Sequence, residues 1–262
     1  MTEDHRTSLT VLLPPSETKR EGGDEDRPFD LGALAFPELT GERVAAIAAA
    51  RSVSSDEATA RRALKLGPRS VGERFRNLVL EGAPSLPAVE RYTGVLYDPL
   101  GAAGADPATT AWWADHVVVQ SAMFGPVAAG DRLPAYRLSH DSRLGALRLA
   151  TLWPAAVTPV LERRTAGGLV LDLRSEGYRA LGPLDAAVPL RVVSEGTDGR
   201  RRALNHWNKT AKGRLVRLLG TARPEVDRMT AFRDWARSVG VVVDEVDGVW
   251  ELVAESLAPT AR

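Results

Sequence analysis

"SLTVLLPPSETK", residues 8 to 19, changes character in its middle. Leu9 to Leu13 form a compact apolar run, two prolines stop it, and Ser16, Glu17, Thr18 and Lys19 follow at once. A short apolar run bounded by such breakers reads as a buried strand. In α/β folds, ligands gather beyond the carboxyl ends of the strands. The stretch therefore points both to a fold class and to a place where a site belongs. No glycine appears until Gly22, so the turn is not a phosphate-cradling P-loop. A plain turn is the competing reading.

Two further stretches repeat the pattern. "HVVVQSAMFG" (116–125) is an apolar run ending in small groups, and "GLVLDLRSEGY" (168–178) runs into Arg174, Ser175, Glu176 and Tyr178. "AYRLS" (135–139) is expected as another short strand. "AVPLRVVSEG" and "RRALNHWN" flank Thr197-Asp198-Gly199, and "VVVDEVDGVWELV" (241–253) carries Asp-Gly at its centre, so both read as hairpins. Helical periodicity covers 41–51, 54–66, 69–82, 151–164, about 208–220 and 223–240. The second helix is expected to start on Ser54 or Ser55 with Glu57 behind it. The fourth is expected to hold Pro154 in its first turn. Residues 16–40, rich in glycine and acid, are expected as a long loop. Strands alternate with helices, but the hairpins break strict alternation. The expectation is one α/β (α+β) domain over 1–262, with a mixed sheet flanked by helices.

Composition narrows the function. Lys plus Arg total 34 and Asp plus Glu total 34, so the chain is electrically balanced. It is no general polycation, although a local basic cleft depends only on how the charge is distributed. With no cysteine, disulfides, thiolate catalysis and Cys-based metal sites are excluded. The polar, acidic start is not a signal peptide, and no apolar run approaches the roughly 20 residues that span a bilayer. A cytoplasmic protein with no membrane partner is expected. His5, His116, His140 and His206 show no metal-ligand spacing, so neither a metal nor another cofactor is expected. No G-x-S-x-G elbow or dinucleotide fingerprint is present.

Charge concentrates in "NHWNKTAKGRLVRLL" (205–219). Wound at 100° per residue, Ala211, Leu215, Leu218 and Leu219 share one arc, while Lys209, Gly213 and Arg217 lie opposite with Lys212 at the border. The plain reading is an amphipathic helix with a solvated basic face. An anion site is the sharper one: Lys209 falls in the first turn, where free N–H groups favour anions, and Gly213 leaves room for a ligand among the cations. His206, on a hairpin strand, reads as structural more readily than as a general base. Trp112, Trp113 and Trp235 read as core or a half-buried surface more readily than as base-stacking groups.

Taken in order, "LLPPSETK", "RYTG", "SAMFG", "PAYRL", "LW", "DLRSEGY" and "NHWNKTAKG" resemble the YaaA family of peroxide stress proteins, also called UPF0246, from residue 12 to about 217. Ser16, Glu17 and Lys19 match one family form of the first motif, Ser175 and Tyr178 match the strand-end motif, and Lys209 and Gly213 match the basic one. Asp172 stands where the family often has Asn, Gly177 where it has Glu, Ser139 where it has Glu, and Lys212 where Arg is frequent. Lys keeps the charge of Arg but loses its bidentate geometry. The resemblance implies one α/β domain with a positively charged cleft, a cytosolic role in protection from hydrogen peroxide that limits reactive iron, and binding of double-stranded DNA through a helix-hairpin-helix-like element.

On this reading Ser16, Lys19, Arg137, Arg174, Lys209, Lys212 and Gly213 would form an anion site for duplex DNA or another phosphate-bearing ligand. Shape would be read in preference to base sequence. The alternative is an enzyme acting on a small phosphorylated or nucleotide-like substrate in the same cleft, with Glu17, Ser175 and Tyr178 as catalytic candidates. Four scattered histidines and no cysteine make direct iron ligation a poor expectation.

Overall fold

The three apolar runs lie side by side in one sheet. In the computed structural model, which describes residues 8–196, 200–203 and 207–257, β1 (Leu9–Leu13) is hydrogen-bonded to strands from the two later runs, all three parallel. The remaining strands are β2 (Asp24–Pro28), β3 (Pro84–Pro87), β4 (Val117–Ser121), β5 (Gly125–Ala128), β6 (Arg132–Leu133), β7 (Leu169–Asp172), β8 (Val188–Glu195), β9 (Arg201–Ala203), β10 (Val243–Val246) and β11 (Val249–Val253). Among the described residues an eight-stranded mixed sheet runs β10-β11-β8-β7-β1-β4-β5, with β9 pairing β8. Its centre is parallel, and antiparallel strands close both edges. Every residue of β1, β4 and β7 is buried, as a parallel strand covered on both faces requires. Leu12 stands opposite both Val118 and Asp172, so the three strands finish at the same edge of the sheet, β4 reaching furthest.

Helices α1 (Thr40–Ser54), α2 (Glu57–Ala63), α3 (Ala88–Arg91), α4 (Tyr97–Leu100), α5 (Pro107–His116), α6 (Leu149–Thr165), α7 (Glu176–Arg179), α8 (Trp207–Ala222) and α9 (Met229–Ser238) surround the sheets. α5 packs on β1 and β4, and α8 packs on α4, α5 and β8. The indole Nε1 of the fully buried Trp113 donates to the Val216 carbonyl at 3.0 Å and joins α5 to α8. No helix among the described residues is long and apolar enough to cross a membrane.

Several local expectations change. Residues 16–40 are not one loop: Asp24–Pro28 pairs with β3, which pairs with β6, in a small separate sheet. "AYRLS" is not a strand, because the backbone of Arg137 is satisfied by one side chain. Its N–H donates to Asn77 Oδ1 and its carbonyl accepts from Asn77 Nδ2, both at 2.8 Å. Ser54 ends α1, and α2 is capped by Asp56, whose carboxylate accepts from the Thr59 N–H at 2.8 Å. α6 starts at Leu149, which leaves Pro154 inside the helix beyond its first turn. Residues 71–78 form a 3₁₀ helix, and the helix expected over 223–240 is confined to 229–238. The Asp-Gly hairpin is as expected, with Asp247 and Gly248 both at positive φ (51° and 76°). The Thr197-Asp198-Gly199 turn lies outside the described residues.

Candidate functional site: paired hollows at the strand ends

Beyond Leu13 the chain turns at Pro14-Pro15, and the Tyr97 hydroxyl donates to the Pro14 carbonyl at 2.7 Å, pinning that end of β1. Beyond Asp172 it turns through Leu173 to Ser175 and enters α7. Two adjoining hollows open at these strand ends, one of about 490 Å³ and one of about 410 Å³. Pro14, Leu96, Ser175 and Lys209 line both.

The first hollow is rich in hydroxyls. Ser16 Oγ and Thr18 Oγ1 are 3.1 Å apart, and Thr18 Oγ1 donates to the Thr93 carbonyl at 3.1 Å. Gly94, at φ 95°, faces them: a Cβ there would stand 3.1 Å from Thr18 Oγ1 and 3.6 Å from Ser16 Oγ, so its absence keeps the space open. On the other side, Tyr178 packs edge-on against the His140 ring with centroids 4.9 Å apart. Gly177 is required beneath that ring, because any side chain there would enter the imidazole. Burial pushes the Tyr178 phenol up to about 12, opposed by hydrogen bonding with Ser139. Glu17 lines the same hollow, its carboxylate accepting from Arg137 Nη2 at 2.9 Å.

The second hollow is lined by charged side chains of both signs. Lys209, Lys212, Arg179 and Arg191 line it. The Lys212 ammonium donates to the Leu173 carbonyl at 2.9 Å. Burial lowers its pKa to about 8; Asp172 acts against this, while the charges of Arg179 and Lys209 lower it further. Arg174 and Asp172 also line the hollow, but they are spent on each other. Arg174 Nε and Nη2 donate to Asp172 Oδ1 and Oδ2 at 3.0 and 2.7 Å, and Nη1 donates to the Gly182 carbonyl at 2.8 Å. With side chains 1% and 3% exposed, the pair carries no free charge into the hollow.

Lys19 and Arg137 line neither hollow. Lys19 is buried beneath the first, its ammonium donating to the Ser16 and Glu17 carbonyls at 3.0 and 3.3 Å and lying 4.1 Å from the centroid of the Tyr136 ring. Burial first, then the charges of Arg137 and Arg76, lower its pKa to about 7. Arg137 is held by Glu17 and Glu73. Tyr136 continues a buried network: its hydroxyl is 2.7 Å from that of Tyr92 and 2.8 Å from that of Ser121, and the Ser121 oxygen also accepts from the Met123 and Phe124 N–H groups.

The structure thus brings Ser16, Glu17, Ser175, Tyr178, Lys209 and Lys212 to the two hollows, with Lys19 underneath. Arg137 and Arg174 are placed in ion pairs. Gly213 is buried where α8 crosses the backbone of Leu96 and Leu100, so its missing side chain serves helix packing and not ligand access. Glu17 and Glu176 line different hollows, so they form no carboxylate pair at one site. His206 lies outside the described residues. Among the described residues no group of three or more His, Asp or Glu is placed to hold a metal ion. Arg179, Arg191, Ser139 and His140 were missed as site residues. Arg191 had a readable signal, a lone cation inside the apolar strand "VPLRVV"; the others have none of their own.

The sequence model described as peroxide stress protein YaaA matches residues 9–238. The UPF0246 protein of Corynebacterium efficiens is 39% identical over 92% of this chain and 96% of its own length. That of Streptomyces coelicolor is 39% identical over 86% and 90%, and that of Corynebacterium glutamicum strain ATCC 13032 is 36% identical over 90% and 95%. The matched span takes in both strand ends, α8 and the lining of both hollows except Val249, and the chain belongs to the YaaA (UPF0246) family of peroxide stress proteins.

Proposed function

We propose that this protein serves the response to hydrogen peroxide in the cytoplasm by binding a small phosphate-bearing ligand in the second hollow, thereby limiting iron-driven damage by an indirect route. The observation that carries the reading is the convergence of Lys209, Lys212 and Arg179 at the ends of β1 and β7. Once the Arg174–Asp172 pair is set aside, Glu176 is the carboxylate lining the hollow with those cations, while Arg191 is paired with Glu251 at 3.6 Å. Hollows of this volume fit small molecules. Duplex DNA is the second reading. It is favoured by Lys209, which stands exposed on the wall common to both hollows and can reach a phosphate outside them.

Titration against salt separates the two. A duplex contacting four cations loses affinity with a logarithmic slope of about −3 to −4 as counterions are released. A small ligand gives a much shallower slope. The test is Lys209→Ala with Lys212→Ala, assayed for binding and for survival under peroxide. Binding lost together with survival supports the proposal. A folded double variant with unchanged binding and survival ends it.

A further inference from the structure

The second hollow accounts for a phosphate and leaves its neighbour without an occupant. The two share Pro14, Leu96, Ser175 and Lys209 in their walls, yet their chemistry differs sharply. The first is lined by the hydroxyl-bearing Ser16, Thr18, Ser139, Ser175 and Tyr178, the last hydrogen-bonded to Ser139, and by the apolar Pro15, Val95 and Leu96. Its charged members are already engaged or shared: Glu17 is held by Arg137, and Lys209 stands at the junction. Such a surface suits an uncharged ring system with hydrogen-bonding edges. At about 490 Å³ it has room for far more than a sugar.

We infer that the two hollows form one bipartite site for a nucleoside monophosphate, with the phosphate among Lys209, Lys212 and Arg179 and the nucleoside in the hydroxyl-lined hollow. This rests on the phosphate-binding reading above and gives that ligand a second half. Ser175 and Lys209 flank the junction, where the ester linkage passes. Ser16 and Thr18 face the ribose hydroxyls, and Gly94 leaves the approach to them clear. The base lies on the Val95 and Pro15 wall. An extended ligand of this kind gains affinity from both ends, because the second contact is made within an already bound molecule.

The probes are inorganic phosphate, ribose 5-phosphate, adenosine and adenosine 5′-monophosphate, measured by titration calorimetry on the full chain. The monophosphate is expected to bind at least tenfold more tightly than phosphate, and more tightly than ribose 5-phosphate. Val95 is exposed, so Val95→Trp fills the first hollow without disturbing the core. It is expected to bring the monophosphate down to the phosphate value and leave phosphate unchanged. Thr18→Ala, a milder change at an exposed side chain, weakens the ribose-bearing probes and leaves phosphate unchanged. Lys209→Ala weakens every phosphate-bearing probe. The inference is overturned if the monophosphate binds no better than ribose 5-phosphate or phosphate, or if Val95→Trp leaves their ratio intact, even though phosphate still binds through Lys209. If none of the probes binds at low salt, the phosphate-binding reading itself fails and this inference goes with it.

Discussion

Arg174 and Asp172 face each other two residues apart at the end of β7, joined through two parallel hydrogen bonds of 3.0 and 2.7 Å and shut away from solvent. Asp172 also accepts from the Arg174 backbone N–H at 2.9 Å, so a single carboxylate fixes the turn that lines the second hollow. Removing it strands a buried guanidinium. Asp172→Ala is expected to cost about 3–5 kcal/mol. Asp172→Asn, which keeps an acceptor, should cost less. Urea denaturation of both variants checks this; a loss under 1 kcal/mol for the alanine would mean the pair is open to water.

Gly213 gives a prediction whose sign separates two views of α8. On an exposed basic face, Gly213→Ala would stabilise the helix by about 1 kcal/mol. At the crossing with Leu96 a Cβ would run into the backbone carbonyl, which cannot rotate away as a side chain can. Overpacking of this kind costs about 1–3 kcal/mol, enough to outweigh the propensity gain. A lowered midpoint of thermal unfolding is the expected result.

Lys19 should make stability depend on pH in an unusual direction. Its pKa is about 7 in the folded chain and near 10.5 when exposed, so between those values the unfolded state binds more protons than the folded one. Stability then rises with pH, by up to about 1.4 kcal/mol per unit. From pH 7 to 8 Lys19 is the main source of this slope; above 8, Lys212 adds to it. Lys19→Met should flatten the rise between pH 7 and 8 in denaturation series. An unchanged slope would show that the amine stays charged against the Ser16 and Glu17 carbonyls.

Lys212 should leave its mark on ligand binding instead. With a pKa near 8, its ammonium loses charge as the pH climbs, while a phosphate monoester is already a dianion. Affinity for adenosine 5′-monophosphate should fall through pH 8 to 9, and binding near pH 8 should take up a proton, visible as buffer-dependent enthalpy. Lys212→Arg keeps its charge across that range and should remove the decline. A pH-independent affinity in the unaltered protein would take Lys212 out of the site.

Much of the frame was legible because its signals are local. The apolar runs at 9–13, 117–121 and 169–172 need no knowledge of distant residues to be read as buried strands, and two residues at positive φ are what Asp-Gly supplies at 247–248. One local signal was passed over: Asp106 followed by Pro107 opens α5, the Asp106 carboxylate accepting from the Thr109 N–H at 2.9 Å. "AYRLS" could not be read correctly by any local rule, since its backbone partner, Asn77, is 60 positions away.

The sequence by itself determined the central strands, the polar groups that follow them and the family to which those motifs belong, because hydrophobic burial and turn chemistry act over a few neighbouring residues. Only the tertiary structure decided which cations remain available. Arg137 is neutralised by Glu17 and Glu73, 120 and 64 positions distant, whereas Lys209 and Lys212 reach the strand ends beside Arg179. A charge is free or spent according to what lies within a few ångströms of it, and that proximity is set by the packing of segments far apart in the chain.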